Sequence, residues 1–117
     1  MWTALVRRGL GSVAGLQLLG RWMAAAPAEL AGLEGRKGAF AAGADADIVV
    51  FDPDAEWTVA KRHLHFRHKL SPYLGAQLHG QVQETWLRGV PVYTRCGPVV
   101  NEEWFVGDPR GKELARL

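Results

Sequence analysis

The chain has 117 residues, the size of one domain or of a piece of a larger one. Its composition, 48% hydrophobic and 22% charged, is typical of a globular protein and argues against disorder, while a net charge of +2 without a basic stripe gives no reason to expect nucleic-acid binding. No apolar run approaches the roughly 18 residues of a membrane span, and the single cysteine, Cys96, cannot form an internal disulfide, which favours a reducing compartment.

The first 33 residues are predicted to be helical. A short helix is expected from Trp2 to about Arg8, and a second follows in which apolar residues recur with helical spacing. Pro27 should end that second helix and begin a short third one, which glycines at 32 and 35 stop. The apolar positions of the second helix are Leu16, Leu19, Trp22 and Met23.

The same N-terminal region also mimics a targeting signal. Residues 1–28 contain three arginines and no acid before Glu29, a pattern found in export and transit peptides. Four glycines, Ser12 and Gln17 weaken the apolar centre that an export signal needs. We therefore expect ordinary helices here.

After residue 34 the pattern changes to that of strands. The apolar run from Ile48 to Phe51 is predicted to be a strand buried on both faces, closed by Asp52-Pro53-Asp54. Trp57 to Val59 is a second short candidate. Val82 to Leu87 alternates and turns at Arg88-Gly89 into Val90 to Thr94, which predicts a hairpin.

The remaining segments are less regular. Lys61 to Gly80 is predicted to mix a helical turn with a loop, and Val99-Val100 follows a turn at residues 96–98. The expected class is α+β, with helices first, then short strands, and no βαβ unit. We divide the chain into helices at 1–33, a small β-portion at 34–106 that includes the loop at 61–80, and a surface tail at 107–117.

The most conspicuous candidate site is the histidine group His63, His65 and His68. Two histidines in a His-x-His pair can lie on the same side of a strand and bind zinc with further ligands. The flanking Lys and Arg residues would repel a divalent cation, and no acid lies between Glu56 and Glu84. We interpret these histidines as loop residues, and His79 has no second feature beside it.

The acidic residues and the nucleophiles give no site either. Asp45 and Asp47 are expected to bond local backbone at the turn into the first strand. The calcium-loop pattern is absent around the acids, and no nucleophile-elbow context surrounds the nucleophiles. The acids are Asp45, Asp47, Asp52 and Asp54, and the nucleophiles are Ser12, Ser71 and Cys96. We assign no catalytic, cofactor-binding or metal-binding residue.

Several blocks nevertheless resemble a known family. Residues 36–40, Gly43 and residues 45–52 resemble the K-G-x-[IL]-x-x-G-x-D-A-D-[IL]-V-[VIL] signature of amidohydrolases. Residues 67–75 resemble the R-H-K-x-[ST]-P-Y-x-G segment of allantoinases, and residues 85–93 resemble their closing hairpin. Residues 22–33 are similar to the segment that ends the last barrel helix, with Ala26 where an Asn before Pro27 is usual.

This resemblance implies a fold and an activity. Members of the family carry a (β/α)8 barrel with two divalent ions, usually zinc, and a small β-sandwich made from both ends of the chain. The matched blocks would then be the last barrel helices and the C-terminal half of the sandwich. Allantoin would be opened to allantoate in purine breakdown, in the cytoplasm, or in a peroxisome or mitochondrion of a eukaryote, by a homo-oligomer such as a tetramer. The metal ligands precede the matched region, so we expect this chain to bind no cofactor and to be inactive alone.

Two alternatives remain open from the sequence. The chain could be the corresponding part of a dihydropyrimidinase or hydantoinase, which shares the signature but not the block at residues 67–75. It could instead be a non-catalytic interaction module. If the chain is a fragment, the strands at 48–51 and 82–87 are expected to pair with strands outside this sequence, so that the isolated chain is aggregation-prone or needs a partner. A monomeric chain that melts cooperatively would favour the module instead.

Overall fold

The computed structural model describes residues 1–64, 66–95 and 103–105, the last three as backbone alone. Four strands form one antiparallel sheet in the order β1-β2-β3-β4, preceded by the helices. The α+β class is therefore confirmed, and the described residues contain no βαβ unit. None of their helices is long and apolar enough to cross a membrane. The helices are α1 (Trp2–Arg7), α2 (Val13–Gly20) and α3 (Ala26–Ala31), and the strands are β1 (Ile48–Thr58), β2 (Gln77–Leu87), β3 (Val90–Arg95) and β4 (Glu103–Phe105).

A short third helix with Pro27 in its first turn forms as the sequence predicted, but the helical backbone is not interrupted before it. A π-helical turn, Arg21–Ala25, joins α2 to α3, and the backbone on both sides of it keeps right-handed helical angles. Proline has no N–H to donate to the carbonyl four residues back, and a widened turn just before it accommodates that missing bond. Gly32 ends α3 with φ 67°, as its position predicted.

The predicted hairpin is confirmed. Strands β2 and β3 pair through a two-residue turn in which Arg88 (φ 49°) and Gly89 (φ 76°) both have positive φ, the conformation of a type I′ turn. Trp86 Nε1 donates to Glu84 Oε2 at 2.8 Å, so these residues share a face as the alternation predicted. The expected pairing of β2 with strands outside the sequence is wrong, because β1 and β3 occupy its two edges.

The first strand differs most from the prediction. Asp52-Pro53-Asp54 does not close it; β1 continues through a bulge to Thr58 and absorbs Trp57 and Thr58 of the second candidate strand. The strand is also not buried on both faces, since Val49 and Val50 remain 57% and 43% exposed. A run of β-branched residues raises strand propensity whether or not both faces are covered, and the sequence alone does not separate the two cases. The predicted loop at 61–80 likewise ends earlier, because residues 77–80 belong to β2.

The core of the described structure forms where α1 meets the bulge. Trp2 contacts Phe51 edge-on with ring centroids 6.1 Å apart, and its Nε1 donates to the Pro53 carbonyl at 2.9 Å. Trp57 Nε1 donates to the Gly80 carbonyl at 3.0 Å. Gly80, buried with φ 80°, lies against Trp2 and Phe51, where a Cβ atom would come within 2.5 Å of both rings. Only glycine satisfies this backbone conformation and this packing together.

Polar bonds hold α1 on the sheet as well. Thr3 Oγ1 accepts from the backbone N–H of His79 at 2.9 Å and lies 3.3 Å from the carbonyl oxygen of the same residue. Arg7 donates to the Gln77 carbonyl at 3.4 Å. These contacts join the first helix to a strand 70 or more residues away, so the helical and sheet regions pack on each other.

Some predictions lie outside the described residues. These are the turn at residues 96–98, the strand at Val99-Val100 and the tail at 107–117. The boundaries after residues 33 and 106 stay predictions, as do the barrel and sandwich that the resemblance implied.

Candidate functional site

The described histidines do not gather into a site. The Nδ1 atom of His63 accepts the backbone N–H of Ala60 at 3.1 Å, and its ring lies edge-on to Trp57 with centroids 5.1 Å apart. His68 is exposed on the loop, and His65 lies outside the described residues. His79, on β2, lies 3.4 Å from Glu56 of β1. His63 thus closes the short 3₁₀ turn at Lys61–His63, in agreement with its interpretation as a loop residue.

The structure instead gathers charges around Lys37. Its ammonium group lies 2.8 Å from Asp45 Oδ2 and also contacts Asp47 Oδ2, while Arg36 Nε lies 3.3 Å from Asp45. The Lys37 side chain is only 14% exposed. We call Arg36, Lys37, Asp45 and Asp47 the lysine cluster. A single cation between two carboxylates neutralises their mutual repulsion and holds the two ends of the intervening loop together.

The electrostatics of the lysine cluster follow from these contacts. Burial acts to lower the pKa of Lys37, but the hydrogen bonds and charges of Asp45 and Asp47 outweigh it and raise that pKa above 10.5. The hydrogen bond from Lys37 is the largest influence on Asp45 and holds its pKa below 3.8. Burial acts to raise the pKa of Asp47, but hydrogen bonds from Lys37 and the Arg88 backbone lower it. All three groups are therefore charged near neutral pH.

The lysine cluster also fixes the tip of the β2–β3 hairpin. Asp47 Oδ1 accepts the backbone N–H of Arg88 at 2.8 Å, and the N–H of Gly89 donates to the Ala46 carbonyl at 2.9 Å. The prediction that Asp45 and Asp47 bond local backbone is therefore wrong, because their side chains reach Lys37, Arg36 and the distant hairpin. A carboxylate that accepts hydrogen bonds from an ammonium and from a backbone N–H makes charge-assisted hydrogen bonds, which are stronger than neutral ones.

A cavity of about 730 Å³ lies between the helical region and the lysine cluster. The helical residues that line it are mostly small, apart from Gln17 and Arg21, and the loop after the helices contributes Lys37, Phe40, Asp45 and Asp47. Gly38 (φ 84°) lets the loop approach the helix, since a Cβ atom there would lie 2.8 Å from the Ala24 carbonyl oxygen and 2.7 Å from the Ala28 side chain. The helical wall includes Gly20, Arg21, Ala24, Ala25, Pro27 and Ala28.

The remaining candidate residues that the structure describes do not line this cavity. Asp52 Oδ1 accepts the backbone N–H groups of Asp54 and Ala55 at 3.0 and 3.2 Å, which stabilises the bulge of β1. Ser71 Oγ accepts the N–H of Tyr73 at 3.2 Å in a loop turn. Ser12 is the exposed residue before α2, and Cys96 lies outside the described residues.

Reasoning from the sequence missed the role of Lys37. The signal was present, because a Lys-Gly pair stands eight residues before Asp45-Ala46-Asp47 and a glycine lies between them. Spacing alone does not reveal that a loop brings the lysine back between the two carboxylates. The lysine cluster stabilises the fold, because its carboxylates bind two cations and a backbone N–H from different segments.

Comparisons with known proteins connect this architecture with a family. Residues 5–92 match the Amidohydrolase family. The allantoinase of Streptomyces avermitilis is 44% identical over 116 residues, which are 99% of this chain and 23% of that protein. Probable allantoinase 2 of Dictyostelium discoideum is 36% identical over 95 residues, 81% of this chain and 18% of that protein.

Solved structures give the same result. The dihydropyrimidinase from Brevibacillus agri has a TM-score of 0.68 at 33% identity, and a D-hydantoinase has a TM-score of 0.67 at 31% identity. Each similarity covers 78% of this chain and 19% of the solved chain. This sequence therefore spans about a fifth of the length of the proteins it matches. The match over residues 5–92 shows that the chain belongs to the amidohydrolase family.

Proposed function

We propose that this chain is the C-terminal portion of an allantoinase-like cyclic amidohydrolase that converts allantoin and water to allantoate. In this proposal it supplies helices and a sheet that support the catalytic region, and the chemistry is carried by residues outside this sequence. The observation that carries the proposal is the similarity to allantoinases over nearly all of this chain and only about a fifth of theirs.

The distribution of apolar side chains supports the proposal. Among the described residues five apolar side chains are buried, whereas thirteen large ones are exposed. Isolated exposed apolar residues are ordinary, but so many beside so small a core are typical of a surface that another part of a protein covers. The buried ones are Trp2, Leu5, Ala28, Val59 and Leu64.

The sheet supports it too. In the described part of the sheet, β1 is an edge strand that pairs only with β2, and its residues Val49 and Val50 are exposed. Unpaired backbone groups beside apolar side chains attract a further strand. The bulge and Pro53 interrupt the other half of β1, which leaves Ile48 to Phe51 as the stretch that a further strand would extend. In our proposal that strand belongs to a β-sandwich completed by the rest of the enzyme, and the helices belong to its barrel.

The described residues do not fit the pair of zinc ions that the resemblance implies. Residues 1–64 and 66–95 contain no group of three His, Cys, Asp or Glu that could hold a metal ion. The carboxylates of Asp45 and Asp47 already contact the ammonium of Lys37, and Nδ1 of His63 accepts a backbone N–H. A second cation beside Lys37 would be repelled. We therefore derive no catalytic step from these residues.

A hydantoinase or dihydropyrimidinase activity is the second candidate. The solved structures with TM-scores of 0.67 and 0.68 are a D-hydantoinase and a dihydropyrimidinase. We favour allantoin because the allantoinase similarity extends over 99% of the chain at 44% identity. The whole enzyme, in our proposal, is a cytoplasmic homo-oligomer that uses a divalent metal.

A chimera tests the proposal. In this chimera, the present chain replaces the matched 23% of the Streptomyces avermitilis allantoinase, and allantoate formation is measured with zinc present. We expect the chimera to hydrolyse allantoin, and the relative lacking its matched segment to be inactive. A folded chimera that hydrolyses a dihydropyrimidine or a hydantoin but not allantoin supports the second candidate, and one inactive on all three substrates contradicts both.

A further inference from the structure

The loop beside the cavity has an unusual composition for a surface loop. Residues 38–44 read Gly-Ala-Phe-Ala-Ala-Gly-Ala, without one polar side chain, and residues 39–43 are all exposed. Phe40 is 88% exposed, the highest value among the large apolar side chains described. Loops in water normally carry polar side chains. An exposed loop that lacks them indicates a surface that another apolar surface covers.

This loop is held in place at both ends. At its base the Asp45 N–H donates to the Arg36 carbonyl at 2.9 Å, and Lys37 contacts the carboxylates of Asp45 and Asp47. Within the loop the Ala44 N–H donates to the Ala41 carbonyl at 3.1 Å. A side chain presented by a fixed loop loses little conformational freedom when it binds, which favours association.

The cavity gives a partner surface room to approach. Phe40 lines it together with Ala24, Ala25 and Pro27 of the helical region, whose side chains are small and exposed. Beside it the charges of Arg36 and Lys37 balance those of Asp45 and Asp47. Large aromatic residues at the centre of an apolar surface supply much of the energy of protein interfaces.

We infer that residues 38–43 and the helical wall of this cavity form a docking surface, with Phe40 as its anchor. The inference rests on the proposed function. Its occupant is the part of an amidohydrolase chain that lies outside the matched segment, whether joined to this chain or separate. That part is about four fifths of each relative, and the mutual neutralisation of the lysine cluster fits an apolar partner surface better than a charged one.

Thiol labelling tests this surface in the isolated chain and in the chimera. Phe40→Cys is introduced with Cys96→Ser and any cysteines of the relative replaced, and the rate of reaction with a maleimide is measured. We expect fast labelling in the isolated chain and labelling slowed by at least about tenfold in the folded chimera, as for a side chain at the centre of an interface. Glu34→Cys, an exposed charged position next to the loop, is the matched control and should label equally fast in both.

The outcomes separate the docking surface from the proposed function. An active chimera in which the Phe40→Cys thiol labels as fast as in the isolated chain overturns the inference and leaves the proposed function intact. Equal slowing at positions 34 and 40 also overturns it, because the protection is then not specific. Slower labelling of the isolated chain at high protein concentration would identify a second copy as the occupant and contradict the inference.

Co-expression covers the case of an inactive or insoluble chimera. The present chain and the relative lacking its matched segment are expressed together and purified through a tag on one of them. We expect them to purify together, Phe40→Ser to weaken the association by at least about tenfold, and Phe40→Leu to retain it. Failure of the wild-type chain to associate overturns the docking surface. Association that Phe40→Ser does not weaken overturns the role of Phe40 while the proposed function stands.

Discussion

Replacing Gly80 with alanine should destabilise the chain strongly. The new Cβ atom would lie 2.2 Å from Phe51 Cζ and 2.5 Å from Trp2 Cδ1, and the residue would keep φ near 80°. A non-glycine residue in the left-handed region costs about 1–2 kcal/mol. Overpacking a core typically adds about 1–3 kcal/mol, so the free energy of unfolding should fall by about 2–5 kcal/mol. For a small protein this is a large fraction of the total stability.

Gly75→Ala provides the matched control. Gly75 also has φ 80°, but no atom lies within 4 Å of its Cβ position. It should therefore show the backbone cost alone, and the difference of about 1–3 kcal/mol between the two variants measures the packing of the bulge. Urea unfolding followed by tryptophan fluorescence suits the measurement, because Trp2 and Trp57 both contact this region. Equal effects of the two substitutions, within about 0.5 kcal/mol, would refute the packing of Phe51 and Trp2 on Gly80.

Three further predictions concern the helix, the lysine cluster and the sheet edge. Thr3→Val leaves the His79 N–H without its 2.9 Å acceptor, so urea unfolding should show a loss of about 1–3 kcal/mol and His79 should exchange its amide hydrogen faster, whereas Thr3→Ser should stay close to wild type. Lys37→Met should lower stability near pH 7 by on the order of 1 kcal/mol, because the carboxylates of Asp45 and Asp47, which are 23% and 33% exposed, keep access to water when their cation is removed. Because the pKa of Lys37 is raised, its contribution is full below pH 10.5 and is lost as the pH rises through the folded value. The pKa values of Asp45 and Asp47 are lowered, so their contribution is present above pH 3.8 and is lost as the pH falls through the folded values. In a thermal-melt series over pH the variant should lose the alkaline dependence and keep only part of the acidic one, because Arg36 and the Arg88 N–H still lower the pKa values of Asp45 and Asp47; unchanged dependences would contradict the cluster. Val49→Lys should reduce aggregation of the isolated chain in light scattering, because a charge on an edge strand opposes further pairing; aggregation equal to wild type would argue against the β1 edge as its cause.

Local rules predicted the local features of this fold. The first helix, the glycine that ends α3 and the hairpin at Arg88-Gly89 each depend on neighbours in sequence, and all three are confirmed. The extent of β1 depended instead on β2, which pairs on both sides of the bulge and carries the strand past Pro53. The continuity of the helix past Pro27 depended on a π-helical turn that no propensity rule marks.

The candidate site divides in the same way. The motif from Arg36 to Asp52 identified the amidohydrolase family, and the match over residues 5–92 bears this out. The motif did not reveal why its lysine and aspartates occur together. That reason is a long-range contact in which Lys37 joins two carboxylates, one of which also binds the Arg88 N–H. The spacing of residues along the sequence does not give the distance in space between such segments.

Allantoate formation, measured side by side for the isolated chain and the chimera with zinc and allantoin, shows directly whether the chemistry lies outside this sequence. We expect turnover by the chimera and none by the isolated chain, because residues 1–64 and 66–95 contain no group of three His, Cys, Asp or Glu that could hold a metal ion, and the carboxylates of Asp45 and Asp47 are engaged with Lys37. Allantoate formation by the isolated chain, lost on adding a chelator, would contradict the claim that the chemistry lies outside this sequence.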